Sequence, residues 1–108
     1  MTKIQVKRHK PADRAAKHSD LRATVRDYLR WKGWLVFHNL QGVGCHKGLT
    51  DLVAVKMDRC FFLEIKTGRA TLNEHQKEFK RQIEAHGGEH VRFLTVRGLE
   101  DLKPLEAY

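Results

Sequence analysis

The chain has 108 residues, a mass of 12.6 kDa and a formal net charge of +8, with 21 Lys and Arg against 13 Asp and Glu. A chain of this length makes one domain and buries about 60–70% of its unfolded surface, enough for one sheet with a few helices. The charge and a pI near 9.8 point to an anionic partner, nucleic acid first. No apolar run approaches the ~20 residues of a membrane span and no signal peptide opens the chain, so a cytoplasmic protein is expected.

Residues 1–17 carry six Lys or Arg against one acid, Asp13. Pro11 argues against a helix there. Two readings stand: a solvated, partly disordered tail, or a basic arm in which Lys7, Arg8 and Lys10 follow a phosphate backbone. The expected organisation is an arm over 1–18 and a folded domain over 19–108. Ser19 suits an N-cap and Asp20 suits the positive end of a helix. Leu21, Val25, Tyr28 and Leu29 recur at helical spacing, so a helix is predicted over 19–32, stopped by Gly33. Arg22, Arg26 and Arg30 form a basic stripe on it.

Residues 34–38 (W-L-V-F-H) read as a strand. Residues 39–49 form a loop containing Gly42, Gly44 and Gly48. It lacks G-K-[ST], which argues against nucleotide hydrolysis. Lys47 in this loop is a candidate nucleic-acid contact. Cys45, His46, Cys60 and His75 lack the close pairs of a structural zinc site. Without C-x-x-C spacing, the two cysteines suggest no disulfide scaffold.

Residues 48–66 organise the chain: G-L-T-D-L-V-A-V-K-M-D-R-C-F-F-L-E-I-K. Two apolar runs, 52–55 and 61–65, flank a polar break, which predicts an antiparallel hairpin. With Asp58 and Arg59 at its tip, Asp51 pairs with Lys66 and Val53 with Glu64. Side chains alternate along strands and paired residues share a face. Asp51, Glu64 and Lys66 therefore share one face, and Leu52, Ala54, Leu63 and Ile65 the other. The polar set reads either as a solvated ion pair or as a hard-cation site. A hard cation takes oxygen ligands, which Asp51, Glu64 and the Ile65 carbonyl provide. Lys66 then orients water or stabilises charge on a phosphate.

Residues 67–71 form a loop in which Arg69 is a further candidate nucleic-acid contact. Thr71 and Glu74 have capping-box spacing, so the next helix is predicted from there to about His86, ending at Gly87-Gly88. Leu72, Gln76, Phe79 and Ile83 line one face of it. Gln76 is thus a polar residue on an apolar face, read either as a satisfied core amide or as a hydrogen-bonding partner of a metal-bound water, a phosphate or Lys66. A strand over 91–96 and a short helix over 98–102 close the order α-β-β-β-α-β.

Asp51 followed by Glu64-Ile65-Lys66 resembles the D…(E)xK signature of the PD-(D/E)XK nucleases. With Gln76 in the next helix and the closing strand, residues 19–102 resemble the small stand-alone form of the VRR-NUC family. The resemblance implies an α/β nuclease core, a mixed central sheet flanked by helices. It implies a Mg²⁺-dependent DNA endonuclease, with Mn²⁺ able to substitute. Asp51, Glu64 and the Ile65 carbonyl would hold the metal, Lys66 and Gln76 would complete the catalytic set, and an acid of the first helix would assist. The usual acid there is Glu; Asp20 and Asp27 are this chain's candidates. The resemblance further implies a homodimer acting on branched DNA such as four-way (Holliday) junctions. Other readings are a catalytically inactive nucleic-acid-binding module and an RNA-directed nuclease.

Overall fold

The computed structural model describes residues 11–39 and 45–108. The expected phosphate contacts Lys7, Arg8 and Lys10 lie outside these residues. Helix α1 spans Pro11–Trp31, so it begins at 11 rather than at 19. Proline lacks an N–H and holds φ near −65°, which suits the first turn of a helix, where the N–H has no acceptor. Ser19 consequently sits inside the helix and caps nothing, and the boundary expected between arm and domain falls within α1. Gly33 turns the chain at φ +96°, and the Trp34 N–H bonds the Leu29 carbonyl.

Strands β1 (Leu35–His38), β2 (Leu52–Lys56) and β3 (Arg59–Ile65) form an antiparallel meander. Helix α2 (Glu74–His86) carries the chain across the sheet, and β4 (Val91–Val96) pairs parallel with β3. The order is β1-β2-β3-β4, a four-stranded mixed sheet in an α/β fold. A 3₁₀ helix, Leu99–Leu105, follows. It runs past the expected end at 102 and buries Leu102 and Leu105. Among the described residues no helix is long and apolar enough to cross a membrane.

The β2–β3 hairpin corrects one expectation. Lys56 pairs with Arg59, so Met57 and Asp58 form the tip, with Met57 at φ +60°. Leu52 therefore pairs with Leu63 and Val53 with Phe62. Continued one step, this register sets Asp51 opposite Glu64, not Lys66. The displacement is two residues, a whole side-chain period, so every residue keeps its expected face. Leu52, Ala54, Phe61, Leu63 and Ile65 meet Val25 and Leu29 of α1, Leu102 and Leu105 in the main core. On the opposite face, Phe79 of α2 makes ring contacts with Phe62 and Phe93.

Helix α2 begins later than expected. Its N-cap is Asn73, whose side chain accepts from the Gln76 N–H while Gln76 Oε1 accepts from the Asn73 N–H. The capping box is Asn73–Gln76, in place of Thr71–Glu74.

Candidate functional site

The edge of the sheet fixes Asp51. Asn39 donates from its backbone N–H to the Asp51 carbonyl and from Nδ2 to the Thr50 carbonyl. Thr50 is wholly buried, its hydroxyl donating to the Leu52 carbonyl. The Asp51 carboxylate then turns across the hairpin, where Oδ2 accepts from the Ile65 N–H at 2.9 Å. Asp51 and Glu64 are 8% and 4% exposed, which removes both carboxylates from water.

Glu64 has unequal oxygens. Oε2 accepts from Gln76 Nε2 at 2.9 Å and lies 3.5 Å from Lys66 Nζ. Oε1 is buried without a hydrogen-bond partner among the described residues. Burial, with Asp51 beside it, pushes the Glu64 carboxyl up to about 8, and Lys66 opposes the rise. Two buried carboxylates side by side disfavour joint ionisation unless a cation joins them.

The cleft over this pair measures about 460 Å³ and is lined by residues including Asp51, Glu64, Lys66, Gln76, Lys47 and His18. Gly48, at φ +82°, forms its loop wall; a Cβ there would run into the His75 carbonyl at the start of α2. The structure thus gathers Asp51, Glu64, Lys66 and Gln76 around one cleft, with Lys47 at its rim. Arg69 is exposed in the turn after β3.

Asp20 is the exception. It is exposed and does not line the cleft. The residues of α1 that reach Asp51 are His18 and Arg22. His18 donates from Nε2 to the Ile65 carbonyl at 3.0 Å and stands 3.5 Å from Asp51 Oδ2. Arg22 Nη1 lies 4.0 Å from Asp51 Oδ1. Asp20 is two residues from each, about 200° around the helix, so it points away. Asp27 is exposed and pairs with Arg26 at 2.9 Å. The signal for His18 lay in helical spacing: the face of Leu29 and Val25, extended back through Arg22 by another turn, lands on it. Reading Ser19 as the helix start hid that turn.

Among the described residues no three His, Cys, Asp or Glu side chains stand close enough together to hold a metal ion. The cleft offers the two carboxylates of Asp51 and Glu64, and the Ile65 carbonyl beside them accepts from His18. No family model matches this chain, and no curated protein matches it.

Proposed function

We propose that this protein is a divalent-cation-dependent nuclease with a PD-(D/E)XK-type core, hydrolysing DNA phosphodiesters. The observation that carries the reading is the buried Asp51–Glu64 pair, with Glu64 Oε1 unpartnered among the described residues, beside Lys66, in a cleft of a strongly basic chain. A buried carboxylate oxygen without a donor is costly, and a cation at this point would relieve it. The residues therefore fit a divalent ion. Asp51, Glu64 and the Ile65 carbonyl would hold it, as the resemblance to the VRR-NUC family implies.

A bound divalent ion supplies Lewis acidity and an acidified water at neutral pH. The chain's own groups do the rest. Lys66, held at 3.5 Å from Glu64 Oε2, keeps its ammonium beside the carboxylate pair and presents its remaining donors to water or to a phosphate oxygen. Gln76 fixes the Glu64 rotamer from the opposite side. Lys47 at the rim and Arg69 nearby attract the phosphate backbone, a role spread over many cations in a chain of this charge. Action on branched DNA and a homodimeric assembly belong to the same proposal. Leu35 and Phe37 on strand β1, which ends the sheet, are 64% and 45% exposed, an apolar stripe suited to a second copy.

The test is cleavage of linear, flapped and four-way DNA and of RNA, each with and without Mg²⁺ or Mn²⁺, alongside Asp51→Asn. Asn keeps the shape but removes the charge a hard cation requires. Cation-dependent cleavage by the wild type alone is the expected result. Binding without cleavage under every condition favours an inactive binding module, and cleavage confined to RNA favours the RNA-directed reading.

A further inference from the structure

The basic row Arg22, Arg26 and Arg30 runs along α1 away from the cleft. Steps of four residues advance about 40° around a helix, so the three guanidiniums stay within a sector of about 80°. Asp20 and Asp27 of the same helix lie at least about 60° beyond that sector. Both ends of the row are fixed. Arg22 Nη1 stands 4.0 Å from Oδ1 of Asp51, which lines the cleft. Arg30 Nη2 donates to the Val36 carbonyl of β1 at 2.8 Å, near the other end of the helix. Between them Arg26 bonds exposed Asp27, a surface pair worth little in water and open to exchange for a phosphate.

The row leads to Trp31, the last residue of α1, which is 79% exposed. Its ring stands 6.4 Å from that of Tyr28, and Lys32 Nζ lies 5.5 Å from its centroid. Glu106 pairs with Lys32 and accepts from the Tyr28 hydroxyl, which holds this side of the group while most of the indole faces water. From Arg22 to Trp31 is about 14 Å of helix, the length of about four stacked nucleotides of one strand.

We propose that α1 carries an unpaired DNA strand from the cleft along Arg22, Arg26 and Arg30 to Trp31, on which a base stacks. This rests on the nucleic-acid reading proposed above and deepens it, naming the path of the strand and its single-stranded form. Cations that follow phosphates, joined to an exposed ring that takes a base face, are the two parts of a single-strand site. A base inside a duplex has both faces stacked already and gains little from Trp31. Charge names the occupant: a second copy laid on this face about a two-fold axis would set guanidiniums against guanidiniums.

The experiment titrates the full chain with oligothymidylate and with duplex DNA of the same length, read by tryptophan fluorescence and its quenching by acrylamide. Of the two tryptophans, Trp34 is 4% exposed, so the accessible emission belongs to Trp31. Oligothymidylate is expected to quench Trp31 and shield it from acrylamide. Trp31→Ala should lower affinity for oligothymidylate about tenfold, leaving its salt slope and the affinity for duplex unchanged, and Trp31→Phe should restore most of the loss. Arg26→Ala should lower the salt slope by about 0.7. Arg81→Ala, which removes an acid-paired arginine from α2 instead, should leave it unchanged. Equal losses in Arg26→Ala and Arg81→Ala overturn the path, as does oligothymidylate binding that leaves Trp31 emission and acrylamide access unaltered; the nuclease reading survives both. Binding at Trp31 without cleavage under any cation sustains the path and overturns the nuclease. Shielding of Trp31 by raised protein concentration alone gives the face to a second copy and overturns the proposal, and absence of binding to either DNA overturns both readings. The quenching measured on wild type decides the matter if a variant fails to fold.

Discussion

Gln76 bonds Glu64 and the start of its own helix with the two ends of one amide: Nε2 donates to Glu64 Oε2 and Oε1 accepts from the Asn73 N–H, both at 2.9 Å. The cap and the site are therefore mechanically joined. Gln76→Ala should lose both bonds and destabilise the fold by about 1–2 kcal/mol. Gln76→Glu should keep the cap, since Glu serves equally at this capping-box position, but should set a third carboxylate against Glu64. Thermal melts of the two variants, with and without Mn²⁺, separate the roles. Melting of Gln76→Ala at the wild-type temperature would show that neither bond contributes.

Glu64 sets a pH dependence. Its folded-state carboxyl titrates near 8, above the ordinary 4.5. Between these values the folded state holds a proton that the unfolded state has released, so stability falls as pH rises from about 4.5 to about 8 and levels off above. Glu64→Gln should remove that decline, and its stability advantage over wild type should grow across this window. Denaturant unfolding at pH 5, 6.5 and 8 without divalent ions measures it. A constant difference between the two proteins across the three pH values would contradict the assignment.

Lys66 should separate rate from affinity. In a chain of +8 the proposed contact with phosphate would be spread over many cations, so Lys66→Ala should change the salt slope of DNA binding by about one unit at most. A donor that acts as the transition state forms is worth about 10²–10³ in rate. Gel-shift affinity beside single-turnover cleavage at saturating protein reads both. Cleavage by Lys66→Ala at the wild-type rate would remove Lys66 from the chemistry.

Phe37 continues the row Val53–Phe62–Phe93 to the edge of the sheet, but Phe79 of α2 covers only the inner part of that row. If a second copy covers the remainder, light scattering at micromolar concentration should give twice 12.6 kDa, and Phe37→Glu should halve it. A wild-type mass near 12.6 kDa counts against the dimer.

Met57 offers a test independent of function. It is exposed and holds φ +60° at the hairpin tip, a conformation costing an L-residue about 1 kcal/mol relative to glycine. Met57→Gly should raise stability by up to ~1 kcal/mol, read from the denaturation midpoint. A lower midpoint would contradict the expected backbone relief.

The strands and α2 were legible because periodicity and turn residues act locally. The grouping of Asp51, Glu64 and Lys66 on one face survived a hairpin tip misplaced by one residue, because the resulting shift in pairing was a full period of two. Local signals failed where two residues competed for one task. Thr71 and Asn73 both have a capping partner three residues on, and only the packed structure selects Asn73. Pro11 is a helix breaker in an interior and a helix starter at a first turn, and its sequence neighbours did not settle which. Helical spacing places His18 on the face of Val25 and Leu29 once the helix start is right, but it could not name its partner Ile65, which lies 47 residues away.

That separation has a kinetic consequence. Asp51 and the Ile65 N–H are 14 residues apart within one hairpin, so the two carboxylates come together by local chain closure. The imidazole that faces them arrives only when α1 docks, a contact of much longer range and slower formation. Like charges are thus brought together before most of their compensating company. Millimolar Mn²⁺ should accordingly accelerate refolding in stopped-flow measurements at pH 8, and an unchanged folding limb would place assembly of the carboxylate pair after the rate-limiting step.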